Sequence, residues 1–461
     1  MDVRRILTGA ATVGLLVALG GAVRPPSAVG LAGGGADCGL GGGKCPGRAA
    51  AVTADLLSAT GQVPAGCTPT WKSVAAPDWL GSQVFRPGID VIPTAPGPAS
   101  TQRSASATGV RVSLLNAVAP WMLDWNGTSF DAMPPIPHAP YESVPGGDFS
   151  VSAHSFDAPG EGWVLGPGFA SGGGRIPRNS DHAVRWHGGR WTITPLAPSQ
   201  APASVAFQTL DVASISATDA WVVGDSTAVG IGVVAGGTTL GALVEHWDGV
   251  SWSVYPNPAS KQPGAVLAQL AVVSPTDMWA VGRTGTGDGT TPLVEHWDGT
   301  SWSVVAVPAG TGRSALNLVS ADRAGDVWAA GGQTQPGTNV ATGLIEQWDG
   351  NAWHIVPGLP DLGVRWVLSG GTGLGGIYAA SPTDVWVTGP TPTVGITGRF
   401  VHYDGHAWTA VPLPDPPEYG LNYHYDAIDG SGPDDVWAAG RAFASGGYAV
   451  LRIAHLSCGP K

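Results

Sequence analysis

The chain has 461 residues and a formal net charge of −12, and only 12% of its residues are charged. Its four lysines, Lys44, Lys72, Lys261 and Lys461, form no basic stripe, which argues against a nucleic-acid partner. The 70 glycines, 40 prolines and 20 tryptophans are typical of short apolar strands separated by many tight turns, so the composition predicts an all-β fold.

Residues 1–28 have the features of a secretory signal peptide. Two arginines precede an apolar run from Ile6 to Val23, and small residues up to Ala28 offer a cleavage site. About 18 apolar residues would also span a bilayer, so an uncleaved anchor is the alternative. Residues 29–66, rich in Gly and Ala, predict a flexible lead-in. We therefore expect a secreted or cell-envelope protein, with no membrane span once the signal is removed.

One sequence motif recurs along the rest of the chain. Ser-x-x-Asp-x-Trp-x-x-Gly is followed by a variable stretch and then by Glu-His-Trp-Asp-Gly-x-x-Trp. An Asp-Gly pair such as Asp248-Gly249 predicts a hairpin turn, because Gly tolerates positive φ and Asp bonds the nearby backbone. Four strands per unit of about 50 residues are typical of β-propeller blades. The first half recurs 49 to 58 residues apart, with its tryptophan at Trp163, Trp221, Trp279, Trp328, Trp386 and Trp437.

The last unit is split between the two ends of the repeat region. The sequence after Trp437 supplies no fourth strand, but residues 67–74 copy one, with Trp71 in the place of Trp252. Six complete or degraded hairpins and this split one predict a seven-bladed propeller over residues 67–461, with six or eight blades as alternatives. The first blade is the most degraded copy. We expect the large tryptophan rings to fill the wedges between neighbouring blades.

Four cysteines in an exported chain predict two disulfides. Cys67 and Cys458 align with adjacent positions of the Asp-Gly turn that the split blade interrupts. A Cys67–Cys458 disulfide would therefore close almost the whole ring, and Cys38 would pair locally with Cys45. The cysteine spacing does not fit a metal site, and we expect no metal.

The sequence Val-His-Tyr-Asp-Gly at 401–405, followed by Trp408, resembles a kelch motif. The resemblance implies kelch-like blades over about residues 67–458, as in propellers of the galactose oxidase type. WD-repeat propellers are the alternative, because of the Trp-Asp dipeptide. The copper chemistry of galactose oxidase needs a cysteine crosslinked to a ligand tyrosine. No cysteine lies between positions 67 and 458, so we expect no cofactor.

Several residues that suggest chemistry recur in blade after blade, which favours a structural role. Each blade would otherwise carry its own copy of the chemistry, whereas packing and turn support are needed in every blade. The aspartates that precede the strand tryptophan are expected to accept backbone N–H bonds in the turn. The recurring residues are His246, His296, His402, His455, Glu245, Glu295, Glu346, Asp219, Asp277, Asp326, Asp384 and Asp435.

Function is expected where the blades differ, because loops on a rigid scaffold commonly carry binding. Two loop segments, 175–182 and 418–426, are rich in charged, histidine and tyrosine side chains. Tyrosines in the second could stack on sugar rings, with core packing as the alternative. The binding candidates are Arg175, Asp181, His182, Tyr419, Tyr423, His424 and Tyr425.

These observations favour a monomeric binding module that engages a glycan or a protein through one loop face. The alternative is an extracellular hydrolase or lyase, which would use Arg175, Asp181, His182 and His424 around the central opening. A structural surface protein without a soluble ligand is the third interpretation.

Overall fold

The computed structural model describes the chain from residue 57 onward, with gaps. The signal-peptide prediction, nearly all of the lead-in and Cys38, Cys45 and Cys67 lie outside the described residues. Those residues are 57–58, 69–77, 84–92, 104–112, 118–137, 147–149, 151, 153–158, 160–166, 168–170, 182–197, 205–228, 238–322, 324–338, 340–360, 362, 374–389, 399–412, 414, 423–444 and 448–458.

Seven antiparallel blades form the fold, which confirms the predicted seven-bladed propeller. Blade 1 comprises β3 (Val84–Ile92), β4 (Ser104–Val112), β5 (Val118–Trp125) and β6 (Phe130–Ala132). Blade 2 comprises β8 (Ala153–Ala158), β9 (Glu161–Gly166), β11 (His182–His187) and β12 (Arg190–Pro195), with a separate pair, β7 (Gly147–Phe149) and β10 (Gly168–Ala170). Blade 3 comprises β13 (Val205–Ser216), β14 (Asp219–Ala228), β15 (Thr238–Trp247) and β16 (Trp252–Val254).

The next three blades repeat the four-stranded order. Blade 4 comprises β17 (Val266–Ser274), β18 (Asp277–Thr284), β19 (Thr291–Trp297) and β20 (Trp302–Val304). Blade 5 comprises β21 (Ser314–Ala321), β22 (Val327–Thr334), β23 (Ala341–Trp348) and β24 (Trp353–Ile355). Blade 6 comprises β25 (Gly376–Ser381), β26 (Asp384–Gly389), β27 (Arg399–Tyr403) and β28 (Trp408–Val411). Two short 3-10 turns span Pro258–Lys261 and Gly287–Gly289.

Blade 7 is built from both ends of the repeat region, as the sequence predicts. It comprises β29 (Tyr423–Gly432), β30 (Asp435–Ala444), β31 (Tyr448–Cys458) and β2 (Pro69–Val74). The register places Trp71 of β2 opposite Leu456 of β31. A fifth strand, β1 (Leu57–Ser58), extends the sheet beyond β2.

Asp-Gly hairpins join the outer two strands of blades 3 to 6. The Oδ1 atom of Asp248 accepts hydrogen bonds from the backbone N–H groups of Val250 and Ser251, at 2.9 and 2.8 Å. Gly249 has φ of +94°, a conformation that residues other than glycine rarely adopt. The same bonding recurs at Asp298, Asp349 and Asp404. The predicted turn chemistry therefore fixes the register of the outer strands.

The glycine that ends the Trp-x-x-Gly motif allows the first two strands of a blade to approach closely. A Cβ atom on Gly282 would lie 1.9 Å from the carbonyl oxygen of Val266, and one on Gly224 would lie 1.8 Å from that of Gln208. Both glycines face a register shift in the innermost strand. The repeated glycine thus accommodates a bulge beside the channel.

Tryptophan rings fill the wedges between blades. The second-strand tryptophan of one blade meets the fourth-strand ring of the next edge to face, as Trp328 meets Trp408 with ring centroids 6.2 Å apart. The same contact closes the ring at the split blade, where Trp71 packs on Trp386 at 5.4 Å. Further pairs are Trp163–Trp252, Trp221–Trp302 and Trp279–Trp353.

The recurring Asp, His and Trp residues form one structural unit in each of blades 3, 4, 6 and 7. In blade 6, Nε2 of His402 lies 2.8 Å from Oδ1 of Asp384, and its ring stacks on Trp386 at 4.2 Å. The indole N–H of Trp437 donates to Asp435 at 3.0 Å. These aspartates therefore bond the histidine of the neighbouring strand or the tryptophan of their own strand, where the sequence led us to expect bonds to turn amides. In the turn before Asp219, the hydroxyl of Ser216 accepts the N–H of Thr218 at 3.2 Å instead.

Among the described residues there is no helix with the length and hydropathy needed to cross a bilayer.

Candidate functional site

The central channel is a cavity of about 780 Å³ between the innermost strands of the blades. Those strands are β3, β8, β13, β17, β21, β25 and β29. Its lining also includes the turns between first and second strands at Ser274-Pro275 and Gly432-Pro433. We call the side of the propeller that carries these turns the turn face. The cavity thus extends from the middle of the channel to the turn face.

A ring of hydrogen bonds between blades surrounds the channel. At six of the junctions, a side chain on one innermost strand accepts a backbone N–H from the innermost strand of the next blade. The described pairs, donor first, are Val91–Asp429, Phe156–Asp90, Ser214–Ser155, Leu270–Asp211, Val319–Gln269 and Ala379–Ser320, with distances of 2.7 to 3.1 Å. The channel wall therefore has polar groups held in fixed positions.

Carboxyl groups dominate the polar lining of the channel. Asp90, Asp157, Asp211 and Asp429 lie on four innermost strands, and Asp322 lies in a turn at the turn face. No Lys or Arg is found among the described residues that line the cavity. The channel is therefore acidic and has no cationic side chain in its described wall.

Burial shifts the titration of these carboxyl groups. Desolvation raises the pKa of Asp211 and of Asp429 to about 7. Burial, followed by repulsion from Asp429, raises the pKa of Asp90 well above its usual value. Burial also raises the pKa of Asp157, although Ser214 donates to its Oδ1 at 2.5 Å. At neutral pH Asp211 and Asp429 therefore retain protons to a degree that exposed aspartates do not.

This arrangement suits hydroxyl-rich ligands. Carboxyl oxygens accept hydrogen bonds from ligand hydroxyls, a protonated carboxyl also donates, and serine hydroxyls do both. Ser155, Ser214 and Ser320 lie in the cavity wall with the aspartates, and Tyr378 adds an aromatic ring. An anionic ligand would meet carboxyls without a compensating cation. The described lining therefore favours neutral or cationic polar ligands.

The sequence-predicted binding residues are only partly described. Arg175, Asp181 and Tyr419 lie outside the described residues. Tyr423 and His424 begin the channel-lining strand β29, and the structure describes only their backbone. His182 begins β11, the third strand of blade 2, and is buried. Tyr425 is 1% exposed and packs on Phe400 with ring centroids 4.9 Å apart.

The channel aspartates were missed by sequence reasoning, which weighed recurring positions and variable loops. A signal exists at Asp90, which interrupts an apolar run between Ile89 and Val91. The corresponding acceptors in other blades are Gln269 and Ser320. No repeated motif therefore marks these positions in the sequence.

Two of the recurring glutamates bond the segments that connect blades. Glu245 accepts the N–H of Ala197, and Glu295 accepts that of Ala259, at 2.9 and 2.8 Å. Glu346 is fully buried, and burial raises its pKa to about 8.

In the described part of the chain, no cluster of three or more His, Cys, Asp or Glu side chains could hold a metal ion.

No known family model matches the chain, and no curated protein sequence is similar to it. Among solved structures, a xyloglucanase from Xanthomonas campestris is 14% identical with a TM-score of 0.46, and the match covers 80% of this chain and 53% of the xyloglucanase. An α-L-arabinanase from Penicillium chrysogenum is 9% identical with a TM-score of 0.40, covering 88% and 97%. A fucose-specific lectin from Aleuria aurantia is 13% identical with a TM-score of 0.36, covering 65% and 94%. Likenesses this distant carry no conclusion about function.

Proposed function

We propose that this protein is an exported binding module that holds a neutral, hydroxyl-rich ligand, such as a glycan, in the central channel. The observation that carries this function is the cavity of about 780 Å³, whose described wall contains carboxyls and hydroxyls but no Lys or Arg. A cavity of this size falls in the range of small-molecule sites, of about 300–1,000 Å³. The ligand enters from the turn face, to which the cavity extends.

The charge of the channel sets its preference among glycans. A neutral sugar donates hydroxyl protons to Asp157 and Asp211 without bringing another charge into the site. A uronic acid or a sulfated sugar would bring an anion beside carboxyls that no described cation offsets. Repulsion between like charges of this kind strongly disfavours binding of the anionic sugar.

We expect a glycan array to show binding to neutral oligosaccharides, and titration calorimetry to give at least about tenfold weaker binding of matched uronic-acid versions. Asp157→Asn is expected to weaken neutral binding by about tenfold, because a hydrogen bond to a charged group is replaced by a neutral one. Asp298→Asn, on an exposed outer turn, is the matched control. Equal affinity for neutral and acidic glycans would contradict the proposal.

The loop face remains a second place for the ligand, as the sequence predicts. Tyr423 is the residue to test, because it begins β29 at the end of the channel away from the turn face. If Tyr423→Ala abolished glycan binding while Asp157→Asn bound with unchanged affinity, the binding site would lie on the loop face. The kelch-like resemblance of residues 401–405 fits either location.

A hydrolase is the second candidate function, and the raised pKa values of two channel aspartates favour it. Carboxyls such as Asp211 and Asp429, whose pKa is raised to about 7, are suited to general acid catalysis near neutral pH. Incubation of a bound oligosaccharide with the protein would then release shorter products, and Asp211→Asn would abolish their release. Stable binding of the oligosaccharide without release of products would exclude the hydrolase and support the binding module.

A further inference from the structure

We propose that Tyr378 orients the ligand in the channel: its phenolic hydroxyl donates a hydrogen bond to one hydroxyl of the bound glycan. The assignment rests on the proposed function and deepens it, because it names a contact at which the channel wall departs from its own repeat. Tyr378 lies at the junction between blades 6 and 7.

This junction lacks the hydrogen bond that the other six share. Among the described residues, no side chain of β25 accepts a backbone N–H from β29. In blades 2, 5 and 7 the acceptor is the residue that pairs with the second-strand tryptophan. In blade 6 Tyr378 takes this position, opposite Trp386. The acceptors in the other three blades are Ser155, Ser320 and Asp429.

The alternative acceptor position carries no side chain in blade 6. Blades 3 and 4 place their acceptors, Asp211 and Gln269, two residues before the one that pairs with the tryptophan. The equivalent residue in blade 6 is Gly376, where a Cβ atom would lie 2.9 Å from the backbone nitrogen of Ile428 in blade 7. Blade 6 therefore supplies a phenol to the channel wall and no acceptor for the next blade.

The hydroxyl of Tyr378 is available to a ligand. Tyr378 lines the cavity and is 7% exposed, and its hydroxyl makes no hydrogen bond within the described part of the chain. Other hydroxyls of the wall are already committed. That of Ser214 donates to Asp157 at 2.5 Å, and that of Ser431 donates to Asp435 at 2.6 Å. A ligand oxygen would satisfy a phenol that is otherwise buried without an acceptor.

The neighbouring strand leaves room for the Tyr378 ring. A Cβ atom on Gly430 of β29 would lie 2.7 Å from Cε1 and Cζ of this ring, and 2.6 Å from the carbonyl oxygen of Asp435. In blades 3 and 4 the equivalent residues, which pair with the residue before the second-strand tryptophan, are Ser214 and Val272. The tyrosine of blade 6 and the glycine of blade 7 are thus matched departures from the repeat.

Tyr378 remains a hydrogen-bond donor near neutral pH. Burial, followed by repulsion from Asp429 and Asp435, raises the pKa of the phenol above its usual value of 10.0. A ligand hydroxyl can accept the phenolic proton and donate its own proton to a carboxyl of the wall. A sugar hydroxyl therefore fits this position better than an ether oxygen, which accepts but cannot donate.

Tyr378→Phe tests the contact. It keeps the ring against Gly430 and removes only the hydroxyl, so the midpoint of urea unfolding should stay unchanged. Calorimetry with a neutral oligosaccharide that binds the unmodified protein should show about tenfold weaker binding to Tyr378→Phe. Tyr255→Phe is the matched control, because it removes a hydroxyl that lies 3.5 Å from the carbonyl oxygen of Thr300, beyond the outermost strand of blade 3. Its affinity should be that of the unmodified protein. A lower unfolding midpoint of Tyr378→Phe with unchanged affinity would overturn the proposal, since the hydroxyl would then serve the fold.

Deoxy sugars separate a direct contact from an indirect effect. Versions of the oligosaccharide that each lack one hydroxyl are titrated against both proteins. One of them should bind the unmodified protein about tenfold more weakly than the parent sugar, yet bind Tyr378→Phe within about threefold of the parent sugar. Equal losses in both proteins for every deoxy sugar would refute the contact. If Asp157→Asn weakens binding and Tyr378→Phe does not, the channel site stands and the role of Tyr378 is wrong. If neither weakens binding, both proposals are wrong.

Discussion

Replacement of Trp328 by alanine is expected to lower the free energy of unfolding by about 3–5 kcal/mol, the usual cost of removing a buried tryptophan. The Trp328 side chain is 0% exposed. It contacts Tyr403 and Trp408 of the next blade, with ring centroids 5.3 and 6.2 Å apart. Its loss would leave a cavity in the wedge between two blades and remove edge-to-face contacts. Urea unfolding followed by tryptophan fluorescence measures the change.

Val304→Ala is the matched control, because Val304 lies on the outermost strand of blade 4 and is 49% exposed. It should alter the unfolding free energy by less than about 0.5 kcal/mol. A Trp328→Ala variant as stable as Val304→Ala would show that the tryptophan wedges do not hold the blades together.

Loss of the expected Cys67–Cys458 disulfide is the second large effect. The Cys67→Ser/Cys458→Ser variant should be less stable by about 4 kcal/mol or more, because on the chain-entropy model a crosslink across so long a loop strongly restricts the unfolded chain. Cys458 lies opposite Pro69 at the end of the split blade, and Cys67 precedes Pro69 by two positions in the sequence. Unfolding in urea under non-reducing conditions measures the difference.

Cys38→Ser/Cys45→Ser is the control, since a short local crosslink outside the propeller should have little effect on its unfolding. Intact mass with and without reduction and alkylation checks the bonds themselves. Alkylation of Cys67 without prior reduction would show that the ring is not closed by a disulfide.

The propeller could be predicted from the sequence because its blades repeat the residues that the fold needs. Asp248 and Gly249 mark a hairpin wherever they recur, and Trp221 and Trp252 mark the strands that flank each wedge. The split blade was visible because Trp71 copies Trp252 in a place where no blade precedes it. Packing and turn geometry are thus imposed on every blade and leave a periodic trace.

The channel could not be predicted in the same way. Asp90, Asp211 and Asp429 acquire their role because three innermost strands from distant parts of the chain meet around one axis. Their positions carry other polar residues in other blades, such as Gln269, so periodicity gives no signal. The recurring aspartates such as Asp384 were expected to bond turn amides, but strand pairing places His402 beside Asp384.

The most direct test of the channel as the binding site is to obstruct it. Ala324 is exposed and lines the cavity at the turn face, so Ala324→Trp narrows the entrance without removing a side-chain hydrogen bond. Val250→Trp adds the same ring at an outer turn, where the side chain is 83% exposed. Calorimetry with a neutral oligosaccharide that binds the unmodified protein should show at least about tenfold weaker binding to Ala324→Trp and unchanged binding to Val250→Trp. Undiminished binding to Ala324→Trp would contradict a channel site entered from the turn face.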